Sequence, residues 1–127
     1  MIRSIALLAF LLALPLSGQG RIQTLSLQSK ALAGNLAGDP AEQRFAVYTP
    51  PDYEKTDTRY PVVFLLHGIA DSFNTWINYF QIGALLDDLI SAEKIPPVIV
   101  VMPNGRNVFL GSYYLNSPVT GRWADLI

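Results

Sequence analysis

The chain has 127 residues, of which 50% are apolar and 15% are charged, a balance that favours one packed domain and excludes a disordered chain. Nine basic and ten acidic residues give a formal net charge of −1 and form no basic cluster, which argues against nucleic-acid binding. No cysteine is present, so the sequence excludes disulfides, thiolate zinc sites and cysteine nucleophiles.

The first twenty residues, MIRSIALLAFLLALPLSGQG, have the three-part layout of a secretory signal peptide. Arg3 gives a positive start, residues 5–14 are apolar, and residues 15–20 are small or helix-breaking. The apolar stretch is shorter than the roughly 20 residues of a membrane-spanning helix. We therefore expect an exported protein, periplasmic or secreted, in which residues 1–20 are removed and residues 21–127 remain without a stable membrane anchor. A retained anchor is the alternative.

Two alternating segments open the mature chain. RIQTLSLQS at 21–29 and QRFAVYT at 43–49 place apolar and polar residues on opposite faces, which is typical of half-exposed antiparallel strands. Gly, Asn, Asp and Pro at 34–42 predict a turn or loop between them. Pro50 and Pro51 end the second strand, because proline donates no ladder hydrogen bond.

The middle of the chain has the pattern of a βαβ unit. PVVFLLH at 61–67 and PVIVVMP at 97–103 are apolar at nearly every position, which favours parallel strands covered on both faces. Between them one helical stripe is apolar and comprises Ile82, Leu85, Leu86, Leu89 and Ile90. The fold class predicted from this pattern is α/β, with antiparallel opening strands followed by a right-handed crossover.

Polar residues around this helix suggest ordinary structural positions. Asp87 and Asp88 are expected on its solvated face, and Asp71 and Ser72 suit a turn or helix cap. The segment GRWADLI at 121–127 begins a further amphipathic helix, which indicates that another helix and parallel strand follow. A sheet without that strand would have an unpaired edge and partly bare faces, so we expect poor solubility.

His67 is the only histidine, and it ends the first buried strand in FLLHGIA. A general base would need a nucleophile within reach and a carboxylate that orients the ring. The alternative is a ring whose nitrogens bond the backbone of adjacent loops, which suits the end of a packed strand better. No second histidine is available for a zinc site, so no metal site is predicted.

The segment HGIADSFNTW follows this strand, where ligands of α/β sheets bind. Gly68 allows a sharp turn and a close approach to substrate, and the amide of Ile69 would then face a developing oxyanion. A His-Gly pair after an apolar strand also occurs for packing reasons. Trp76 in the same segment is either a core anchor or a platform for substrate.

Four segments carry a family resemblance: RFAVYTPPDY, YPVVFLLHGIADSFNTW, IPPVIVVMPNG and SYYLNSP. In this order and spacing they resemble the Putative esterase family of α/β-hydrolases, which includes esterase D-like, feruloyl esterase-like and mycolyltransferase-like enzymes. The resemblance implies the N-terminal part of an α/β-hydrolase sheet. It also implies that the Ile69 amide forms half of an oxyanion hole, with Gly68 shaping the turn and His67 organising the loop.

By the same analogy, three residues of SYYLNSP could line an acyl or leaving-group pocket: Tyr113, Tyr114 and Asn116. Aromatic loop residues also pack against sheets, so that alternative stays open. The implied reaction is serine-dependent hydrolysis of a carboxylic ester through an acyl-enzyme, without a metal or organic cofactor. The implied substrate of the full enzyme is a small-molecule or carbohydrate-linked ester.

The sequence departs from the family at the nucleophile. No Gly-x-Ser-x-Gly elbow occurs, because Ser72, Ser112 and Ser117 all lack that frame. The triad Ser, Asp or Glu, and His would come after residue 127, so no catalytic residue is assigned and the chain as given is expected to be inactive. The alternatives are a non-catalytic secreted α/β-hydrolase-like binding module and the product of a truncated gene.

Overall fold

A four-stranded mixed sheet organises the computed structural model, which describes residues 18–127. Its strands are β1 (Arg21–Gln28), β2 (Glu42–Thr49), β3 (Val62–Phe64) and β4 (Ile99–Pro103), in the spatial order β1-β2-β4-β3. β1 pairs with β2 and β2 with β4 in antiparallel register, whereas β3 and β4 are parallel. The predicted α/β fold, with antiparallel opening strands and one βαβ unit, is confirmed.

The remaining elements are short. Helices α1 (Phe73–Asn78) and α2 (Ile82–Ser91) connect β3 to β4, and a small antiparallel pair follows, β5 (Asn116–Ser117) and β6 (Gly121–Arg122). Single 3₁₀ turns cover Tyr53–Lys55 and Trp123–Leu126. Within the described residues no helix is long and apolar enough to cross a membrane. The predicted signal peptide lies outside the described residues except for its last three positions.

The core lies between the two helices and one face of the sheet. Its buried members are Ala46, Tyr48, Phe73, Leu86, Val98, Val100 and Met102. Ile82 and Ile90 of the predicted helical stripe pack against this cluster, while Leu85 is 48% exposed at the border of the stripe. The cap predicted at Ser72 is confirmed, because its Oγ accepts a hydrogen bond from the Asn74 backbone N–H over 3.3 Å.

β3 differs from the prediction of a strand covered on both faces. Val62, Val63 and Phe64 are 52%, 47% and 47% exposed. The physical reason is position, since β3 is an edge strand and no described strand pairs with its outer side. The expectation of an unpaired edge therefore holds for β3 within residues 18–127.

Asp87 also differs from its prediction as a solvated residue. Its Oδ1 accepts hydrogen bonds from the Tyr48 hydroxyl at 2.7 Å and from the Gly20 backbone N–H at 2.9 Å. Asp87 follows the buried Leu86 at the edge of the apolar stripe, where the long Tyr48 side chain reaches it across the core. Burial, followed by the hydrogen bond to Asp87, raises the pKa of Tyr48 well above its ordinary value of 10.0. Asp88 is exposed, as predicted.

Candidate active site

The parallel ladder of β3 and β4 stops at a proline. The Leu65 N–H still donates to the Val101 carbonyl over 2.8 Å, but Pro103 has no N–H to return to Leu65. The backbone beyond Leu65 therefore leaves the sheet at the carboxyl ends of both strands. A cavity of about 370 Å³ opens there, with Leu66, Ile69, Tyr113 and Tyr114 among its lining residues.

The His67 ring joins two loops through the backbone. Nε2 accepts a hydrogen bond from the Gly105 N–H at 2.8 Å, and Nδ1 lies 2.8 Å from the carbonyl oxygen of Gly68. Because Nε2 accepts, it carries no proton, so Nδ1 is the protonated nitrogen and donates to Gly68. The ring is 6% exposed, and both of its nitrogens are occupied by backbone groups.

Ser112 and Tyr114 complete a closed chain of hydrogen bonds with His67 and Gly105. The N–H and the hydroxyl of Ser112 both donate to the Gly105 carbonyl at 2.9 Å, and the Tyr114 N–H donates to Ser112 Oγ at 3.1 Å. The Tyr114 hydroxyl accepts from the His67 N–H at 3.0 Å and donates to the His67 carbonyl at 3.4 Å. We call these four residues the loop circuit. Burial raises the pKa of the Tyr114 hydroxyl.

Ile69 lies between the loop circuit and Ala70, whose backbone is also held by hydrogen bonds. The Ala70 N–H donates to the Leu110 carbonyl over 2.8 Å, and the Arg106 guanidinium donates to the Ala70 carbonyl. The Ile69 side chain is 57% exposed, and its backbone N–H has no hydrogen-bond acceptor among residues 18–127. A free amide is thus held at the cavity by anchored residues on both sides.

The turn in this loop is made at Ala70 and not at Gly68. Ala70 has φ +63°, in the left-handed region, whereas the φ of Gly68 lies outside that region. A Cβ added to Gly68 would come no closer than 3.6 Å to Asp71 Oδ2. The prediction of a sharp turn at Gly68 is therefore wrong, because the left-handed residue of this loop is Ala70 and a Cβ at position 68 would meet no protein atom closer than that carboxylate oxygen.

The other predicted site residues divide into two groups. Tyr113 and Tyr114 line the cavity, Tyr113 with its side chain 70% exposed. Trp76 packs against the core and lies 5.1 Å, between ring centroids, from Phe80. The Asn116 side chain accepts from the Ala124 N–H and donates to Asp125 Oδ1, both at 2.9 Å, away from the cavity lining.

Two residues that the sequence analysis missed accept hydrogen bonds from the backbone of residues 108–111, next to the cavity. The buried Asn107 accepts from the N–H groups of Phe109 and Gly111 at 2.9 and 3.0 Å. The buried Asp39 accepts from the Val108 N–H at 2.9 Å across a long sequence separation. The signal for Asn107 was its place in PNGRN, since asparagine side chains often close turns on their own backbone. Residues 18–127 contain no group of three or more His, Cys, Asp or Glu that could hold a metal ion.

The Putative esterase family model matches residues 40–125. The chain belongs to the Putative esterase family. An endo-1,4-beta-xylanase/feruloyl esterase from Xylanibacter ruminicola is 40% identical over 63 residues, covering 46% of this chain and 9% of that protein. The chain therefore spans only a small part of this curated relative.

Solved structures support the fold assignment. A ferulic acid esterase superposes with a TM-score of 0.72 at 22% identity, covering 86% of this chain and 41% of the other. A feruloyl esterase module from Clostridium thermocellum, complexed with sinapinate, superposes with a TM-score of 0.59 at 23% identity, covering 74% of this chain and 29% of the other. The shared architecture is that of part of an α/β-hydrolase esterase.

Proposed function

We propose that this chain forms the N-terminal portion of an exported serine carboxylic-ester hydrolase. In this proposal the Ile69 amide is one of two oxyanion-hole donors, Gly68 belongs to the same loop, and His67 organises the loop without acting as a base. The observation that supports it most is the Ile69 N–H, which has no acceptor among residues 18–127 and lies at the cavity between the loop circuit and Ala70. Membership of the Putative esterase family points to the same reaction class.

The chemistry explains why a fixed amide matters. When a serine Oγ attacks an ester carbonyl, the carbonyl oxygen gains negative charge, and a donor already aimed at it stabilises the transition state. Such a donor is worth about 3–4 kcal/mol when it needs no reorganisation. The alcohol then leaves, and water hydrolyses the acyl-enzyme. The serine, its acid and base partners and the second donor are assigned to sequence after residue 127, since these 127 residues contain no Gly-x-Ser-x-Gly.

The proposed substrate is an aromatic carboxylic ester, either a small molecule or linked to carbohydrate. This rests on relatives that are named feruloyl or ferulic acid esterases and on one solved with sinapinate. The apolar side chains of Leu66 and Ile69, with Tyr113, would suit an aromatic group in the cavity. No metal or organic cofactor is part of the proposal. Export rests on the signal-peptide pattern of residues 1–20.

The test is to isolate the gene's own product, with any sequence that follows residue 127, and to assay methyl ferulate hydrolysis. A fluorophosphonate that labels nucleophilic serines is applied to the same sample. We expect hydrolysis, and label on a serine outside residues 1–127. Absence of hydrolysis, or label on Ser72 or Ser112, would contradict the proposal.

A matched pair of variants tests the amide itself. Ile69→Pro removes the N–H, and the preceding glycine tolerates the restriction that proline places on its neighbour. We expect kcat to fall about 100-fold or more. Ile69→Val keeps the N–H and should retain kcat within a few-fold. Equal losses in both variants would mean that the side chain, and not the amide, is what the reaction needs.

A non-catalytic binding module is the second candidate, favoured by the missing Gly-x-Ser-x-Gly frame within the 127 residues. The same assay separates the two functions. Saturable binding of ferulate without hydrolysis and without serine labelling would establish the binding module and overturn the esterase.

A further inference from the structure

We propose that Tyr114 is a positioning residue for the oxyanion donor, and that its hydroxyl fixes the loop start from which the Ile69 amide is presented. This inference rests on the proposed function, because it takes Ile69 as the donor. It assigns Tyr114 a task other than contact with the substrate.

The Tyr114 hydroxyl stands where the ladder has lost its partner. The chain after Leu65 has left the ladder with β4, and neither the N–H nor the carbonyl of His67 has a backbone hydrogen-bond partner among residues 18–127. One hydroxyl satisfies both groups, accepting from the N–H at 3.0 Å and donating to the carbonyl at 3.4 Å. The side chain thereby extends the fixed backbone two residues beyond Leu65, to His67.

The ring of Tyr114 packs against the backbone of Gly105. A Cβ on Gly105 would lie 2.5 Å from the Tyr114 ring, so the glycine leaves the space that the ring fills. Tyr113 and Tyr114 both have left-handed backbones, with φ +51° and +53°. This conformation is unfavourable for residues with a Cβ, and here Ser112 ties the strained segment to Gly105. The strain is sustained by the contacts that place the hydroxyl on His67.

The hydroxyl is poorly suited to bind substrate. Its one proton is already directed to the His67 carbonyl, and one lone pair accepts the His67 N–H. Tyr113 differs, because its side chain is 70% exposed and its hydroxyl has no partner among residues 18–127. The two adjacent tyrosines therefore provide a matched comparison.

Hydrogen exchange on the isolated gene product directly measures how firmly the Tyr114 hydroxyl holds the His67 backbone, and it requires no assumption about catalysis. Tyr114→Phe removes only the hydroxyl, and we expect the His67 amide to exchange at least about tenfold faster. Tyr113→Phe should leave that rate within twofold. Gly105→Ala displaces the ring while keeping the hydroxyl, and should accelerate His67 exchange as Tyr114→Phe does. Unchanged His67 exchange in Tyr114→Phe would overturn the inference.

Kinetics on the same samples distinguish positioning from substrate contact. With methyl ferulate, Tyr114→Phe should lower kcat about tenfold and leave KM unchanged, because a misplaced donor weakens only the transition state. A raised KM with unchanged kcat would make Tyr114 a substrate contact and overturn the inference. An inactive wild-type protein would overturn the proposed function, and the exchange rates would then decide whether Tyr114 fastens the loop.

Discussion

The backbone N–H of Gly105 donates to Nε2 of His67 over 2.8 Å and so joins the loops that follow β3 and β4. The bond fixes the ring with its proton on Nδ1, directed to the Gly68 carbonyl. A histidine held in this way has no nitrogen left to take a proton from a nucleophile. The bond is buried, so if it is lost, no water replaces Nε2 as the acceptor for the Gly105 N–H.

Replacing His67 tests the bond energetically. His67→Ala leaves the buried Gly105 N–H without an acceptor, and we expect the free energy of unfolding to fall by about 1–3 kcal/mol or more. His67→Gln can place an amide oxygen near the position of Nε2 and should recover part of the loss. Urea denaturation of the two variants beside the wild type gives the comparison. Equal stability of His67→Ala and His67→Gln would mean that the acceptor is unimportant.

Tyr48 and Asp87 predict an alkaline loss of stability. Because the pKa of Tyr48 is raised in the fold, the folded state keeps its proton above pH 10 while the unfolded chain loses it. Stability from this group is complete below pH 10 and falls as pH rises through the folded pKa. At pH 7 we expect the free energy of unfolding of Tyr48→Phe to be about 1.5–3 kcal/mol lower than that of the wild type, because a hydrogen bond to a carboxylate is lost.

The stability gap between Tyr48→Phe and the wild type should shrink between pH 7 and pH 11, by about 1.4 kcal/mol per pH unit above 10. Denaturation curves at both pH values measure it. Tyr79→Phe is the control, because that side chain is 80% exposed and should change stability little at pH 7. A gap that stays constant up to pH 11 would contradict the burial of the Tyr48 proton.

Two glycines near His67 should respond differently to alanine. Gly105→Ala brings a methyl group to 2.5 Å from the Tyr114 ring, and we expect a loss of about 1–3 kcal/mol through displacement of that ring. Gly68→Ala meets nothing closer than 3.6 Å and should change stability by less than about 0.5 kcal/mol. Thermal or urea unfolding of both variants checks the contrast. A larger loss of stability in Gly68→Ala than in Gly105→Ala would contradict the assignment of the steric constraint to Gly105 and the Tyr114 ring.

The bare edge of β3 predicts self-association of residues 21–127. Val62 is 52% exposed on an edge strand, and such edges pair with other chains unless charge protects them. We expect light scattering to detect association of this chain and Val62→Lys to reduce it. Val119→Lys adds the same charge at a residue 45% exposed in the β5–β6 hairpin and should have a smaller effect. A monomeric, cooperatively melting 21–127 protein would contradict the prediction.

Features set by neighbouring residues were predictable from the sequence. The apolar stripe of α2, the Ser72 cap and the two antiparallel opening strands depend on spacings of a few residues, which the sequence displays directly. The alternation of β1 did not predict its burial, because Leu25 and Leu27 are 45% and 40% exposed on this edge strand. The prediction that Asp87 lies on a solvated face was wrong, because its partner Tyr48 is 39 positions away in the sequence and reaches it across the core. The spacing of Asp87 within the helix contains no trace of that contact.

The loop that holds Ile69 shows the same limit at the candidate site. HGIA led to the prediction of a backbone donor at Ile69, which stays a prediction, and the Tyr114 hydroxyl that fixes His67 comes 47 residues later in the chain. The proline at which the β3–β4 ladder stops, Pro103, was visible in the sequence only as the end of a strand. Its consequence for the neighbouring strand required the register of β3 on β4.

The most direct measurement is a crystal structure of the isolated gene product after reaction with a phosphonate that mimics the tetrahedral intermediate of ester hydrolysis. We expect the phosphonyl oxygen to lie about 2.7–3.1 Å from the Ile69 backbone nitrogen, with phosphorus bonded to a serine outside residues 1–127. A phosphonyl oxygen bound elsewhere, with the Ile69 N–H turned away from it, would contradict the assignment of this loop as the oxyanion donor.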